Sequence, residues 1–386
     1  MKYLLIVGLI LLGILGGGYW FVKNKLHINP QVAISLINPP QTSQVELGPQ
    51  GMDLPFPLTI KDGYQIKVFA NLEGSMPRGL ALDPNGVLFA TVPARGRVIA
   101  LPDKDKDGIA DNVKTVLQRL NQPHGIVFNE SNMYVAETGK VTKYEYDNAN
   151  LFTGREETLF TLPAGGRHFT RTIRIIGQKI YTSVGSSCDT CRENDEKRAA
   201  LLVSDLDGSN LRVFAKGLRN TVFFVEGDGG KIWGTDMGRD FLGDNLPPDE
   251  INIIEDGKDY GWPFCYGDKV RDANFESSFD PNYCGNTTQP AFKLPAHVAP
   301  LGLTFMNGNL LVSLHGSWNS SVPVGYKVAS FIVTGQNVIS MEDFITGFIQ
   351  GNNVLGRPVD LIVDKDGRLF ISDDKAGLIY IVTKKS

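Results

Sequence analysis

RPVDLIVDKDGRLFISDDKAGLIYIV, Arg357 to Val382, decides the fold. It splits into three short apolar runs, Val359–Val363, Leu369–Ser372 and Leu378–Val382. Between them lie the turn Asp364-Lys365-Asp366-Gly367 and the loop Asp373–Gly377. β-branched runs divided by Asp/Gly turns are the mark of antiparallel strands. The same phrase stands near the other end of the chain, RGLALDPNGVLFATVPARGRVIAL at Arg78–Leu101. A basic residue again leads an apolar strand, a turn, a second strand, a loop and a third strand.

Partial copies fill the interval. HGIVFNESNMYVAETGKVTKYEY at His124–Tyr146 is one, and RTIRIIGQKIYTSVG at Arg171–Gly185, completed by Ala200–Phe214, is another. Arg219–Ile254 and Leu301–Val333 complete the set. The starts at 78, 124, 171 and 219 are 46, 47 and 48 residues apart. A period of roughly 40–50 residues with about four strands per unit is the signature of a β-propeller. Six copies predict an all-β, six-bladed β-propeller over residues 61–386. Two β-sandwiches are the rival arrangement of irregular short strands, but they do not require the recurring polar leader. In a propeller the loop entering each inner strand opens on one face. Arg78, His124, Arg171, Arg219 and Arg357 would then converge on one mouth, and such a cation ring calls for an anionic ligand.

Composition sets the outer limits. The chain has 386 residues, 42 glycines, 21% charged residues and a net charge of −4. That suits one turn-rich all-β domain and argues against nucleic acid as a partner. Residues 1–25 carry a 19-residue uncharged run, Leu4–Val22, with Lys2 before it and Lys23 and Lys25 after. At ~1.5 Å per residue it just spans a bilayer core of about 30 Å, and Tyr19-Trp20 stands where an interfacial belt would. The expectation is an uncleaved N-terminal membrane-anchor helix; a cleaved signal peptide leading to secretion is the alternative. Residues 26–60, rich in Pro, Asn and Gln, read as a tether. The alternating strand at Gly63–Ala70 is expected to close the ring on the last blade. Four cysteines lie in two local pairs, Cys188/Cys191 and Cys265/Cys284. An even count in an exported chain favours disulfides, of which local pairing is the simplest connectivity. Cys188-Asp-Thr-Cys191 could instead be redox-active or half a metal site. Together these features place the domain in a bacterial cell envelope, on the periplasmic side of the inner membrane.

Three stretches carry chemistry. Asp103, Asp105, Asp107, Gly108 and Asp111 match the first half of an EF-hand calcium loop, although position twelve is Lys114 rather than Glu. A solvated acidic turn is the plain alternative. His168 lies in the Gly-rich approach LPAGGRHFTRTIR. Of five histidines, four (His124, His168, His297 and His315) flank inner strands. Last, Asp236-Met-Gly238-Arg239-Asp240, Asp244 and Asp249-Glu250-Ile-Asn252 are dense in oxygen ligands and tight turns, which suits Ca²⁺.

G-L-R-N at 217–220, D-E-I-N-I-I at 249–254, Y-G-W-P at 260–263 and H-G-S-W-N…Y-K at 315–327 resemble the glucose/sorbosone dehydrogenase family, as does R-P-V-D…S-D-D…G-x-I-Y at 357–380. S-S-C-D-T-C at 186–191 and the Trp318 motif look closest to its L-sorbosone dehydrogenase branch. The resemblance covers roughly 63–384 and implies a six-bladed propeller carrying pyrroloquinoline quinone (PQQ) and Ca²⁺. It implies Arg219, Asn220, Lys327 and Arg357 on the cofactor, with His124 near the substrate-side polar position. It further implies backbone carbonyls of Gly238 and Arg239, beside Asp240, on the metal, and His168 as the general base. Where soluble glucose dehydrogenases of the family carry R-x-R-D, this chain has Arg357-Pro-Val359-Asp360, which weakens glucose as the substrate more than it weakens PQQ binding. The implied activity is oxidation of a sugar, polyol or aldehyde, with electrons passed to a quinone or cytochrome. The competing expectation is a non-catalytic envelope propeller that binds a glycan or protein. A lactonase-type hydrolase would need carboxylate or Asn leaders, and here the leaders are mostly basic.

Overall fold

The computed structural model describes residues 2–30, 53–275 and 280–385, with side chains from residue 13 onward. Among the described residues it contains two two-stranded ribbons and six antiparallel sheets of four or five strands, taken in chain order. Their inner strands are Leu80–Leu82, Gly125–Asn129, Ile173–Ile176, Phe224–Glu226, Pro300–Met306 and Pro358–Val363. Each inner strand starts a sheet that meanders outward, and we number these sheets blades 1 to 6. The expected six-bladed propeller is therefore present.

Why the blades form is visible in their burial. In blade 1 the strands Leu88–Val92 and Arg97–Leu101 are buried along nearly their whole length, because each blade has a neighbour on both faces. The apolar side chains of adjacent sheets interlock. Phe89 of blade 1 meets Phe128 and Tyr146 of blade 2 edge-on, at 4.9 and 5.8 Å between ring centres. Around the axis the backbones come so close that only glycine fits. A Cβ on Gly125 would lie 2.6 Å from the Arg171 carbonyl oxygen, and one on Gly302 would lie 2.4 Å from that of Val359. That is why a glycine so often follows the repeat's leader.

Ring closure follows the expected route. Strand Tyr64–Asn71 pairs with Leu378–Lys384, from Tyr64 opposite Lys384 to Asn71 opposite Leu378. Blade 6 is thus made from both ends of the domain. Thr59–Ile60 adds a fifth strand to blade 5, and Leu54, Phe56 and Leu58 pack on the same core. The greater part of the expected tether, residues 31–52, lies outside the described residues.

Both cysteine pairs are disulfides, Cys188–Cys191 and Cys265–Cys284. A helix runs over Lys2–Asn24. Among the described residues no helix is long and apolar enough to cross a membrane; the side chains of residues 2–12, which make up much of the apolar run, lie outside them.

Candidate active site

The connections that lead into the inner strands gather on one face, as the repeat required. They enclose a cavity of about 400 Å³ at the mouth of the channel. Its wall carries Arg78, Arg167, Arg219 and Arg357 together with His168, His297 and His315. Asn220, Asp240, Asp249 and Trp318 complete the polar and aromatic lining.

His168 is the best-placed base. Its Nδ1 lies 3.0 Å from the Ser186 carbonyl oxygen and 2.9 Å from Ser186 Oγ. Ser186 Oγ in turn donates to the Cys188 carbonyl at 2.7 Å. A proton on Nδ1 satisfies the backbone acceptor and leaves Nε2 with the lone pair. Burial, then the charges of Arg219 and Arg167, hold the imidazole well below its usual range. It is therefore neutral at neutral pH and able to accept a proton.

The disulfide loop that follows sets Arg219. Asp189 Oδ1 accepts from Arg219 Nη2 at 2.6 Å, and the Asp189 carbonyl accepts from Arg219 Nε at 2.9 Å. Asp236 caps the loop from below, accepting from the backbone N–H groups of Arg219 and Asn220 at 2.9 and 2.7 Å. Asn220 Oδ1 is left buried with no hydrogen-bond partner. Arg167, at the rim, donates to Asp240 at 2.6 Å and lies over the Trp318 ring.

Across the cavity Arg357 is held by His315. Arg357 Nη2 lies 2.8 Å from His315 Nδ1 and also donates to the Gly316 carbonyl at 2.5 Å. His315 Nε2 lies 2.9 Å from Asp374, which also pairs with Arg78. Burial and then Arg357 push His315 down to about 4, so it is a neutral bridge. Arg357 Nη1 is buried without a partner. Two orphaned polar groups of opposite character, a guanidinium N–H and an amide oxygen, thus belong to residues lining one cavity. Buried polar groups are rarely left unpaired, and water, an ion or a ligand can complete them.

The remaining expected residues divide clearly. His124 is fully buried one layer below the mouth, accepting from Arg78 Nε at 3.3 Å, with Thr172 Oγ1 3.2 Å from its Nδ1. Arg171 is spent on the carbonyls of Pro163, His168 and Thr170 at 2.7–3.0 Å. Lys327, expected to face the mouth, begins the third strand of blade 5 and donates to Asp343 on the outer strand at 2.5 Å. The physical reason is rank: the first strand of a blade lines the channel, and the third does not.

Gly238 and Asp240 line the cavity, whereas Arg239 turns beneath it to Asp272 at 2.9 Å. Asp249, pushed up to about 7 by burial, accepts from the N–H groups of Gly238 and Ala299. Asp103, Asp105, Asp107 and Asp111 lie elsewhere, on the connection between Arg97–Leu101 and Lys114–Leu117 at the opposite end of blade 1.

Arg167 and Trp318 are site residues that the leader positions do not point to: Arg167 sits on the loop between blades 2 and 3, and Trp318 on the loop between the second and third strands of blade 5. The N-terminal segment also reaches this rim. The Asn29 N–H donates to the Trp318 carbonyl at 3.2 Å, and His27 lies 3.6 Å from Asp244.

Comparison with known proteins gives the family. The chain is 28% identical over 408 residues to a pyrroloquinoline quinone-dependent pyranose dehydrogenase of Coprinopsis cinerea, covering 86% of this chain and 55% of that protein. It therefore spans about half the length of that relative. It is 29% identical over 352 residues to an uncharacterized protein of Borreliella burgdorferi, covering 84% of this chain and 90% of that one. Among solved structures, the holo PQQ domain of the Coprinopsis pyranose dehydrogenase superposes with a TM-score of 0.75 at 25% identity, covering 87% of this chain and 99% of that one. A Trichoderma reesei family AA12 carbohydrate-active enzyme superposes with a TM-score of 0.79 at 21% identity, covering 87% and 100%. The family model described as TrAA12-like matches residues 58–385, nearly the whole propeller, and the chain belongs to that family.

Proposed function

We propose that this protein oxidises a sugar by PQQ-dependent hydride transfer at the propeller mouth. The observation that carries the reading is the cavity lined by four arginines beside a neutral His168, with Asn220 on the same wall. PQQ is a flat tricarboxylate, and arginine forks match carboxylates. Arg219, Arg357 and Asn220 would hold it, with Arg78 and Arg167 alongside. Ca²⁺ would take the carbonyls of Gly238 and Arg239. When bound, the quinone supplies a two-electron acceptor, and that chemistry belongs to the cofactor.

The chain's own part is proton transfer and orientation. His168 Nε2 takes the proton of the substrate hydroxyl as the hydride leaves the carbon that bears it. Ser186 fixes the ring through Nδ1. Arg167 and Trp318 at the rim offer a cation and an aromatic face to a sugar. The named relatives are pyranose and sugar dehydrogenases, which favours a pyranose over the sorbosone-type aldehyde expected from the cysteine motif. The run Leu4–Val22 would anchor the domain in a bacterial envelope membrane, where a quinone or cytochrome could collect the electrons.

The test is titration calorimetry of PQQ into the purified, chelated protein with and without Ca²⁺, followed by sugar-dependent reduction of a dye acceptor. Calcium-dependent binding and turnover are expected. His168→Ala should keep PQQ affinity and lose ~10²–10⁴-fold in kcat, the span of general-base catalysis. Absence of PQQ binding in both conditions would move the non-catalytic, ligand-binding propeller ahead.

A further inference from the structure

The second acidic loop lies far from the mouth and plays no part in the proposed reaction. One carboxylate oxygen from each of Asp103, Asp105 and Asp107 falls within 4.8 Å of the other two. Convergence alone is common in surface turns. What sets this cluster apart is Asp103. Its side chain is only 6% exposed; one oxygen takes Arg368 Nη1 at 3.2 Å. The other, Oδ1, is buried with no hydrogen-bond partner. A buried carboxylate oxygen without a donor is a strong acceptor left open.

The surrounding chain is already folded as a cup. Asp111 accepts from the Lys104 N–H at 2.9 Å, drawing the two ends of the loop together. Asp107 accepts from the Ile109 N–H at 2.8 Å, and Gly108 takes the left-handed turn at φ +87°. Asp105 and Asp107 are exposed, so water has access to the remaining coordination positions.

We infer that Asp103, Asp105 and Asp107 hold one Ca²⁺ ion, and that this ion fastens the seam where the propeller ring closes. The donors are all carboxylate oxygen, and Ca²⁺ accepts irregular sets of six to eight such ligands, whereas Mg²⁺ demands a near-ideal octahedron. The twelfth position is Lys114, so the usual bidentate Glu is missing. Affinity then falls in the weak class, with Kd of about 10⁻⁴–10⁻³ M, as in extracellular modules.

The location gives the ion its role. The loop leaves blade 1 but leans on blade 6. The Ala110 N–H donates to the Phe69 carbonyl at 2.8 Å, on the strand that enters the domain first. Gly108 faces Ile381, on the strand that leaves it last. Arg368, on blade 6 and paired there with Asp364, reaches across to Asp103 on blade 1. A cation here draws the loop tight against the junction of the two chain ends.

The experiment is thermal unfolding of the full-length protein after chelation, with CaCl₂ titrated to 10 mM and no PQQ present. Because the cofactor is left out, failure of the catalytic reading does not touch the result. Calcium should raise Tm by about 2–4 °C, the shift expected when a ligand binds the native state at about 10–100 times its Kd. MgCl₂ should do markedly less. Asp105→Asn and Asp107→Asn change exposed side chains and should fold, yet lose the calcium response; Asp366→Asn should keep it. Calorimetry should show one fewer Ca²⁺ per chain in Asp107→Asn. An equal calcium shift in wild type and Asp107→Asn would place the stabilising ion elsewhere and overturn the assignment. No shift at 10 mM would overturn it too.

Discussion

Gly185→Ala would test the base and the cofactor contact with a single methyl group. Gly185 ends the second strand of blade 3 at the mouth, and its φ is not left-handed, so alanine suits the backbone. Space is the difficulty. The new Cβ would lie 2.6 Å from Asn220 Oδ1 and 2.7 Å from His168 Cβ, where ordinary contact begins at 3.4 Å. Each neighbour must retreat by about 0.7 Å, and misplacing a reacting group by about 1 Å costs roughly 10²-fold in rate. Overpacking of this kind also lowers stability by about 1–3 kcal/mol. The expected outcome is a kcat loss of ~30–100-fold, with weaker PQQ binding and a folded protein. Steady-state kinetics at saturating PQQ, calorimetry and a thermal melt read the three effects separately. Gly139→Ala is the control, since its Cβ would meet Ala164 at a comfortable 3.6 Å. A folded Gly185→Ala enzyme with unchanged kcat and unchanged PQQ affinity would refute the roles given to His168 and Asn220 together.

Two further expectations follow from the same geometry. Arg357→Gln removes the buried guanidinium and should weaken PQQ by ~10–100-fold, the worth of a charged hydrogen bond. Lys327→Met should leave PQQ affinity unchanged, because Lys327 is turned to Asp343; calorimetry on both variants decides. His168 must be unprotonated to act, and burial with the neighbouring Arg219 and Arg167 depresses its pKa from 6.5. The acid limb of kcat/KM should therefore fall below pH 6.5, with activity retained as pH rises past it. A limb above 6.5 would exclude His168 as the titrating base.

The blades were legible because each repeats one phrase, and the turns Asp-Pro-Asn-Gly and Asp-Lys-Asp-Gly punctuate it without ambiguity. The leaders were half legible. Arg78, Arg219 and Arg357 do line the mouth. Arg171 has the same sequence position but donates through Nη1 and Nη2 to three backbone carbonyls and does not line the cavity. Nothing in the local sequence distinguishes these cases, since the carbonyls belong to a loop whose path is set by tertiary packing. Lys327 looked like a leader because it precedes an apolar strand; which rank that strand holds in the blade depends on counting strands in an interrupted copy. Arg167 lies on a loop between blades and Trp318 on a long loop inside the fifth copy, and the path of such loops is not set by periodicity. The calcium-type loop was visible from its aspartate spacing, but its place at the seam came only from the partners Phe69, Arg368 and Ile381.

Closure by strand Tyr64–Asn71 bears on how the protein is made. That strand emerges early in synthesis, and its partner Leu378–Lys384 emerges last. Until then the first strand has an unpaired edge and blade 6 does not exist. Such long-range pairing is slow to form, and open strand edges invite association between chains. A product that stops short of Leu369 would therefore lose more than its tail: its beginning would also be left without a partner. Conversely, the N–H of Lys385 already reaches the Gly63 carbonyl at 2.9 Å. The two ends of the domain meet there, so a circular rearrangement joining them and opening the chain at another surface turn should cost the ring little.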